Sequence, residues 1–122
     1  MQKQIGGNHY QQFPFQPKDL AHRMGLGFFQ GNVIKYVCRY KFKNGLQDLE
    51  KALDYAEELQ RYYNEGVGKD YDGSKMDDAL VMQFLWANEE LLHISQRIVI
   101  LAVVANSYDD TIKFIKQLIE NL

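Results

Sequence analysis

Only one cysteine, Cys38, occurs in the 122 residues, so no internal disulfide can form. No charged-then-apolar leader stands at the start, and both absences lead us to expect a reducing, cytoplasmic setting. Net charge is equally scarce. Fourteen Lys and Arg face sixteen Asp and Glu, for a formal charge of -2. The chain therefore lacks the cationic field that drives non-specific DNA or RNA binding, and any anion site has to be local. The longest apolar run, IVILAVVA from Ile98 to Ala105, falls far short of the roughly 20 residues needed to cross a bilayer, which argues against a membrane span. It reads as buried core or as a subunit contact, and an apolar patch of that size favours an oligomer. His9, His22 and His93 are scattered and Cys38 is alone, so no Cys/His set has metal-ligand spacing and no structural zinc is expected. There is no GxxxxGK[ST] phosphate loop, the glycines of GLGFFQG follow no predicted strand, and no nucleophile motif appears.

What is present is helical rhythm. Both prolines and the GGNHY stretch fall before Lys18, which makes Met1 to Gln16 an irregular arm. Pro17 suits a first helical position, and KDLAHRMG gives a short helix ending near Gly25 or Gly27. A second helix is predicted over about 31–43, stopped by Asn44-Gly45. A third, over about 46–64, carries Leu49, Ala52, Leu53, Ala56, Leu59 and Tyr63 on one stripe. The tight turn makes these two an antiparallel hairpin, the core of an all-α fold at about 31–64. Residues 66–74 read as a glycine-rich connector between a region 1–65 and a C-terminal helical region 75–122.

In that C-terminal region Ser74 with Asp77 resembles an N-cap for a long apolar segment from Met76 to Ala105. The β-branched run from Ile98 to Val104 suits a strand too, but a lone strand would have no partner, so helix is preferred. Asp109 or Asp110 is expected to cap a last helix with Ile112, Ile115, Leu118, Ile119 and Leu122 on its apolar face. Core is the expected place for Phe84 and Trp86, and a buried or interfacial one for His93.

Wound at about 100° per residue, the second helix sorts Asn32, Lys35, Tyr36, Arg39 and Lys43 into one sector, with Val33, Ile34, Val37, Cys38 and Tyr40 opposite. Asp48, Lys51, Tyr55 and Tyr62 flank the stripe of the third helix and can face the same groove. Two readings compete. Cations converging from one face bind phosphate oxygens, and tyrosines beside them stack on a base. Alternatively the sector is the solvated side of an amphipathic helix, its lysines favouring the helix dipole and Asp48 with Lys51 forming a surface pair. His9 and Tyr10 in the arm offer an imidazole and a phenol for acid, base or phosphate contact.

The order His9-Tyr10, a proline and a short helix, Gly31-Asn32, Lys35-Tyr36, Arg39, Lys43, Gly45, Asp48-Leu49, Lys51-Ala52 and Tyr55 resembles a family of small phage proteins. That family is known as a domain of unknown function and includes a nucleotide kinase that phosphorylates deoxynucleoside monophosphates without a Walker loop. The likeness runs from Asn8 to Leu59. It implies a phage origin, hence the cytosol of a host cell, an all-helical fold, an oligomer and a nucleotide ligand. Carried over by position, Asn32, Lys35, Tyr36, Arg39, Lys43, Asp48 and Lys51 become the candidate site, with Tyr55 beside them and His9 and Tyr10 folding over it.

Three functions follow as expectations. In a deoxynucleoside monophosphate kinase using ATP and Mg2+, Lys35 and Arg39 would neutralise phosphate charge and Asp48 would hold magnesium or orient the acceptor. A non-catalytic sponge for a nucleotide or defence signal needs the cations and tyrosines but no metal carboxylate. A phage factor that inhibits a host protein would carry its interface on the apolar C-terminal half.

Overall fold

In the computed structural model, which describes residues 12–122, Pro17 opens helix α1 (Pro17–Met24) and Gly25 closes it at φ +67°. Proline loses no hydrogen bond at a first helical position. Helix α2 spans Phe28–Arg39, so it starts and ends earlier than the expected 31–43, and Tyr40–Phe42 tighten into a 3-10 turn. The early start follows from Phe28 and Phe29, whose rings pack edge-on against Tyr55 at 5.7 and 5.8 Å. Gly45, at φ +50° and ψ −119°, reverses the chain in a conformation that a side chain would strain. Helix α3 (Leu46–Glu65) then runs back against α2. The expected hairpin is therefore the spine of an all-helical fold.

The apolar segment after residue 75 is not one helix. It divides into α4 (Asp78–Ala87) and α5 (Ile94–Val104), with a turn between them. Asn88 makes the break. Its buried amide donates to the Phe15 carbonyl (2.7 Å) and accepts from the Phe15 N–H (3.3 Å), which fastens the chain before α1 to the end of α4. His93 is exposed rather than buried, because it caps α5 in a reciprocal box with Gln96. Asp77, not Ser74, caps α4, through a bond from the Leu80 N–H. Helix α6 (Tyr108–Glu120) begins after Ser107, one and two residues before the aspartates expected to cap it. Ser107 Oγ donates to Asp110 at 2.8 Å.

Ile98 to Val104 is helical throughout, which settles the strand alternative. Val99, Ile100, Val103 and Val104 are buried, while Ile98 and Leu101 stay partly exposed on the far face. Trp86, expected in the core, is 78% exposed, and Phe84 is the aromatic that packs inside. The two differ because residues 84 and 86 lie about 200° apart around α4. Helix α6 packs on α3 and α5 on α2, so Leu20, Val37, Leu49, Ala56, Ile100 and Ile115 share one core cluster. Gln96, fully buried, donates to the Val37 carbonyl (2.9 Å) and fixes α5 against the last turn of α2. Among the described residues no helix is long and apolar enough to cross a membrane.

Candidate functional site

The polar sector expected on α2 is not a wet face. Tyr36 and Arg39 are both buried, at 9% and 8% exposure, and Asp48 is completely enclosed. Arg39 Nε and Nη2 each donate to a different oxygen of Asp48 at 3.1 Å, a planar two-point ion pair between α2 and the first turn of α3. The Asn44 N–H also reaches Asp48 Oδ2, at 3.4 Å. The surface pairing of Asp48 with Lys51 is therefore replaced by a buried pairing with Arg39. The cause is the turn. Gly45 brings the start of α3 beside the end of α2, and only a guanidinium matches both carboxylate oxygens there.

Around this pair the remaining candidates gather on Tyr36. Lys35 Nζ lies 5.0 Å, Arg39 Cζ 4.8 Å and Lys51 Nζ 5.4 Å from the centre of its ring. Tyr55 stacks beside Tyr36 at 6.1 Å with the planes 11° apart. An aromatic ring attracts cations through its quadrupole, so it lets three like charges share a small volume. Three cations against one carboxylate leave this group of side chains positive. Lys51 is half-buried and pairs with no carboxylate among the described residues.

Other predicted residues are placed differently. Asn32 spends its amide N–H on the Phe28 carbonyl one turn back, at 2.8 Å. Lys43 is exposed at the turn and, among the described residues, makes no ion pair and no cation–ring contact with the Tyr36 group. His9 and Tyr10 lie outside the described residues. Cys38 is buried behind the cluster, and burial pushes its thiol pKa well up, so it is an inert apolar filler. Among the described residues no group of three His, Cys, Asp or Glu side chains stands close enough to hold a metal ion.

A second polar centre, at the other end of α2, was not anticipated. Asp70 accepts from Gln30 Nε2 (2.6 Å), Tyr108 OH (2.9 Å), Asn106 Nδ2 (3.1 Å) and the Tyr71 N–H (2.9 Å). Gln30 and Tyr108 are buried, and burial above all holds the Tyr108 phenol well above its usual pKa; the Gln30 bond offsets part of that rise, and the Asp70 carboxylate adds to it. Tyr71 OH donates to the Val104 carbonyl at 2.9 Å, so the stretch after α3 is tied across the ends of α5 and α6. No spacing rule signals this centre, since the partners of Asp70 come from three separate stretches of chain. Phe28 and Phe29 are a nearer miss, because GLGFFQG stood out for its glycines while its aromatics do the packing.

A family described as a protein of unknown function (DUF3310) matches residues 6–57. The match takes in the whole turn between α2 and α3 and every residue of the Tyr36 group. No curated protein and no solved structure matches the chain.

Proposed function

We propose that this is a nucleotide-binding protein whose phosphate site is the cationic group on Tyr36. The observation that carries the reading is the convergence of Lys35, Arg39 and Lys51 within 5.4 Å of one ring centre in a chain of negative net charge. Asp48 and the Tyr36 ring offset part of this clustered charge, and an anion drawn to the same place would gain from what remains. Arg39, locked to Asp48, is the rigid member, and the two lysines are the mobile ones that close on phosphate oxygens. Tyr55 and the exposed Phe28 supply aromatic surface nearby.

The finer form of this reading is a phage-encoded deoxynucleoside monophosphate kinase using ATP and Mg2+, working as a homo-oligomer in the host cytosol. One observation favours the non-catalytic sponge over it. Both oxygens of Asp48 are taken by Arg39 and the carboxylate is shut from solvent, so it is a positioning group and not a ready magnesium ligand. The third reading, a factor that docks on a host protein, draws support from Met82 and Trp86 on α4 and Ile94 on α5, all more than half exposed.

Incubation of the purified protein with each deoxynucleoside monophosphate, ATP and magnesium, followed by chromatography, separates the three. Diphosphate product is the kinase outcome. Tight calorimetric binding without product is the sponge outcome. Neither product nor binding sinks the nucleotide reading and leaves the docking factor.

A further inference from the structure

Between the start of α2, the end of α3 and the stretch after it lies a cavity of about 470 Å³. That is within the usual range for small-ligand pockets, roughly 300–1,000 Å³. Phe28, Phe29, Tyr62 and Tyr63 give it an aromatic lining, and Val67 lines it too. Its floor includes Gln30, whose side chain is 2% exposed. The orientation of that amide is fixed by chemistry. Nε2 must face Asp70 and the Tyr108 hydroxyl, since a carboxylate only accepts. Gln30 Oε1 is thereby turned the other way, and it accepts no hydrogen bond among the described residues. It points to Gly27, where an added Cβ would sit 2.7 Å from it. Glycine at that position keeps an immobilised, unused acceptor open beneath aromatic walls.

We infer that this cavity binds a nucleobase, its ring against Phe28 and Tyr62 and one of its N–H groups donating to Gln30 Oε1. Flat walls with an unused acceptor on a largely buried side chain suit a planar heterocycle that carries an N–H, and suit neither an aliphatic chain nor an isolated anion. The inference rests on the nucleotide reading for the identity of that heterocycle. It also joins the two regions. Ring contacts of 5.7 Å from Phe28 to Tyr55 and 6.1 Å from Tyr55 to Tyr36 connect the wall of the cavity to the ring on which the cations gather.

The test uses the four deoxynucleosides, which lack phosphate, titrated into the full chain and followed by NMR at the Gln30 side-chain amide and the Tyr62 ring. At least one nucleoside is expected to shift both signals. Val67→Trp, which fills the cavity, is expected to weaken that binding tenfold or more with an unchanged melting temperature, whereas Gly27→Ala, whose Cβ would displace the Gln30 amide, is expected to weaken it as much and also to lower the melting temperature. No shift with any nucleoside overturns the inference, as does unaltered binding by a folded Val67→Trp protein. A Lys35→Gln/Lys51→Gln protein should bind nucleosides normally and nucleotides at least tenfold more weakly. If instead nucleosides bind at Gln30 while nucleotides gain nothing from the lysines, the cavity stands and the phosphate reading falls.

Discussion

Asp48 and Asp70 organise opposite ends of α2, and they do so by contrasting means. Asp48 is fully buried and faces a charged partner from the adjoining helix, nine residues back along the chain. Asp70 is exposed and collects neutral donors, from Gln30, Asn106 and Tyr108, across sequence separations of 36 to 40 residues. A buried carboxylate demands a full counter-charge, because desolvation of an isolated ion is prohibitive, whereas an exposed one keeps part of its hydration and needs only hydrogen bonds. The first arrangement sets a cation rigidly beside an aromatic ring, as the proposed phosphate site requires. The second fastens a loop and, through Gln30, aims an amide.

The sharpest way to break this contrast is Asp48→Ala. It removes the carboxylate that Arg39 grips at two points and should cost about 3–5 kcal/mol in urea unfolding, against about 1–3 kcal/mol for Asp70→Ala, which takes an acceptor from neutral donors. Equal losses would show that burial does not separate the two. Arg39→Ala strips Asp48 in the same way, so it is a stability probe and a poor ligand probe.

Gly73→Ala tests the Asp70 end from the backbone side. A Cβ there meets the Asn106 side chain at once and the Ala105 backbone at 2.7 and 2.9 Å, so a loss of about 1–3 kcal/mol is expected. A wild-type urea midpoint would mean that the loop is not held as described.

Alkaline pH distinguishes the buried groups. Cys38 keeps its proton in the folded state, and the unfolded thiol loses it near 8.5. Its contribution is therefore complete below about pH 8.5 and declines as pH rises, by up to about 1.4 kcal/mol per pH unit. Tyr108, raised in the same direction, adds a second decline from about pH 10. Stability measured from pH 7 to 10.5 should show both, and Cys38→Ala should remove only the first. The smallest effect belongs to Lys51→Gln, which should leave stability within about 0.5 kcal/mol of wild type. A larger loss would make Lys51 a structural partner of Tyr36 and not a ligand group.

The hairpin was legible because its signals are local: Pro17, Asn44-Gly45 and the stripe from Leu49 to Leu59 each act within a turn or two. The Tyr36 group was half legible. Winding sorted its members onto one side, but only the geometry of the turn reveals that Arg39 and Asp48 neutralise each other. The break at Asn88 was hidden because its bonds go to Phe15, a separation of 73 residues. Trp86 misled because hydrophobicity says nothing about direction in a helix apolar almost all round. The Asp70 centre, built entirely from distant partners, left no trace in spacing.

The most direct test of the phosphate site is calorimetric titration of deoxynucleoside monophosphates into the wild-type and Lys35→Gln/Lys51→Gln proteins at low salt. Binding by the wild type, weakened at least tenfold in the double variant with an unchanged melting temperature, is the predicted result. No binding of any monophosphate by the wild type, or equal affinity in the two proteins, would contradict it.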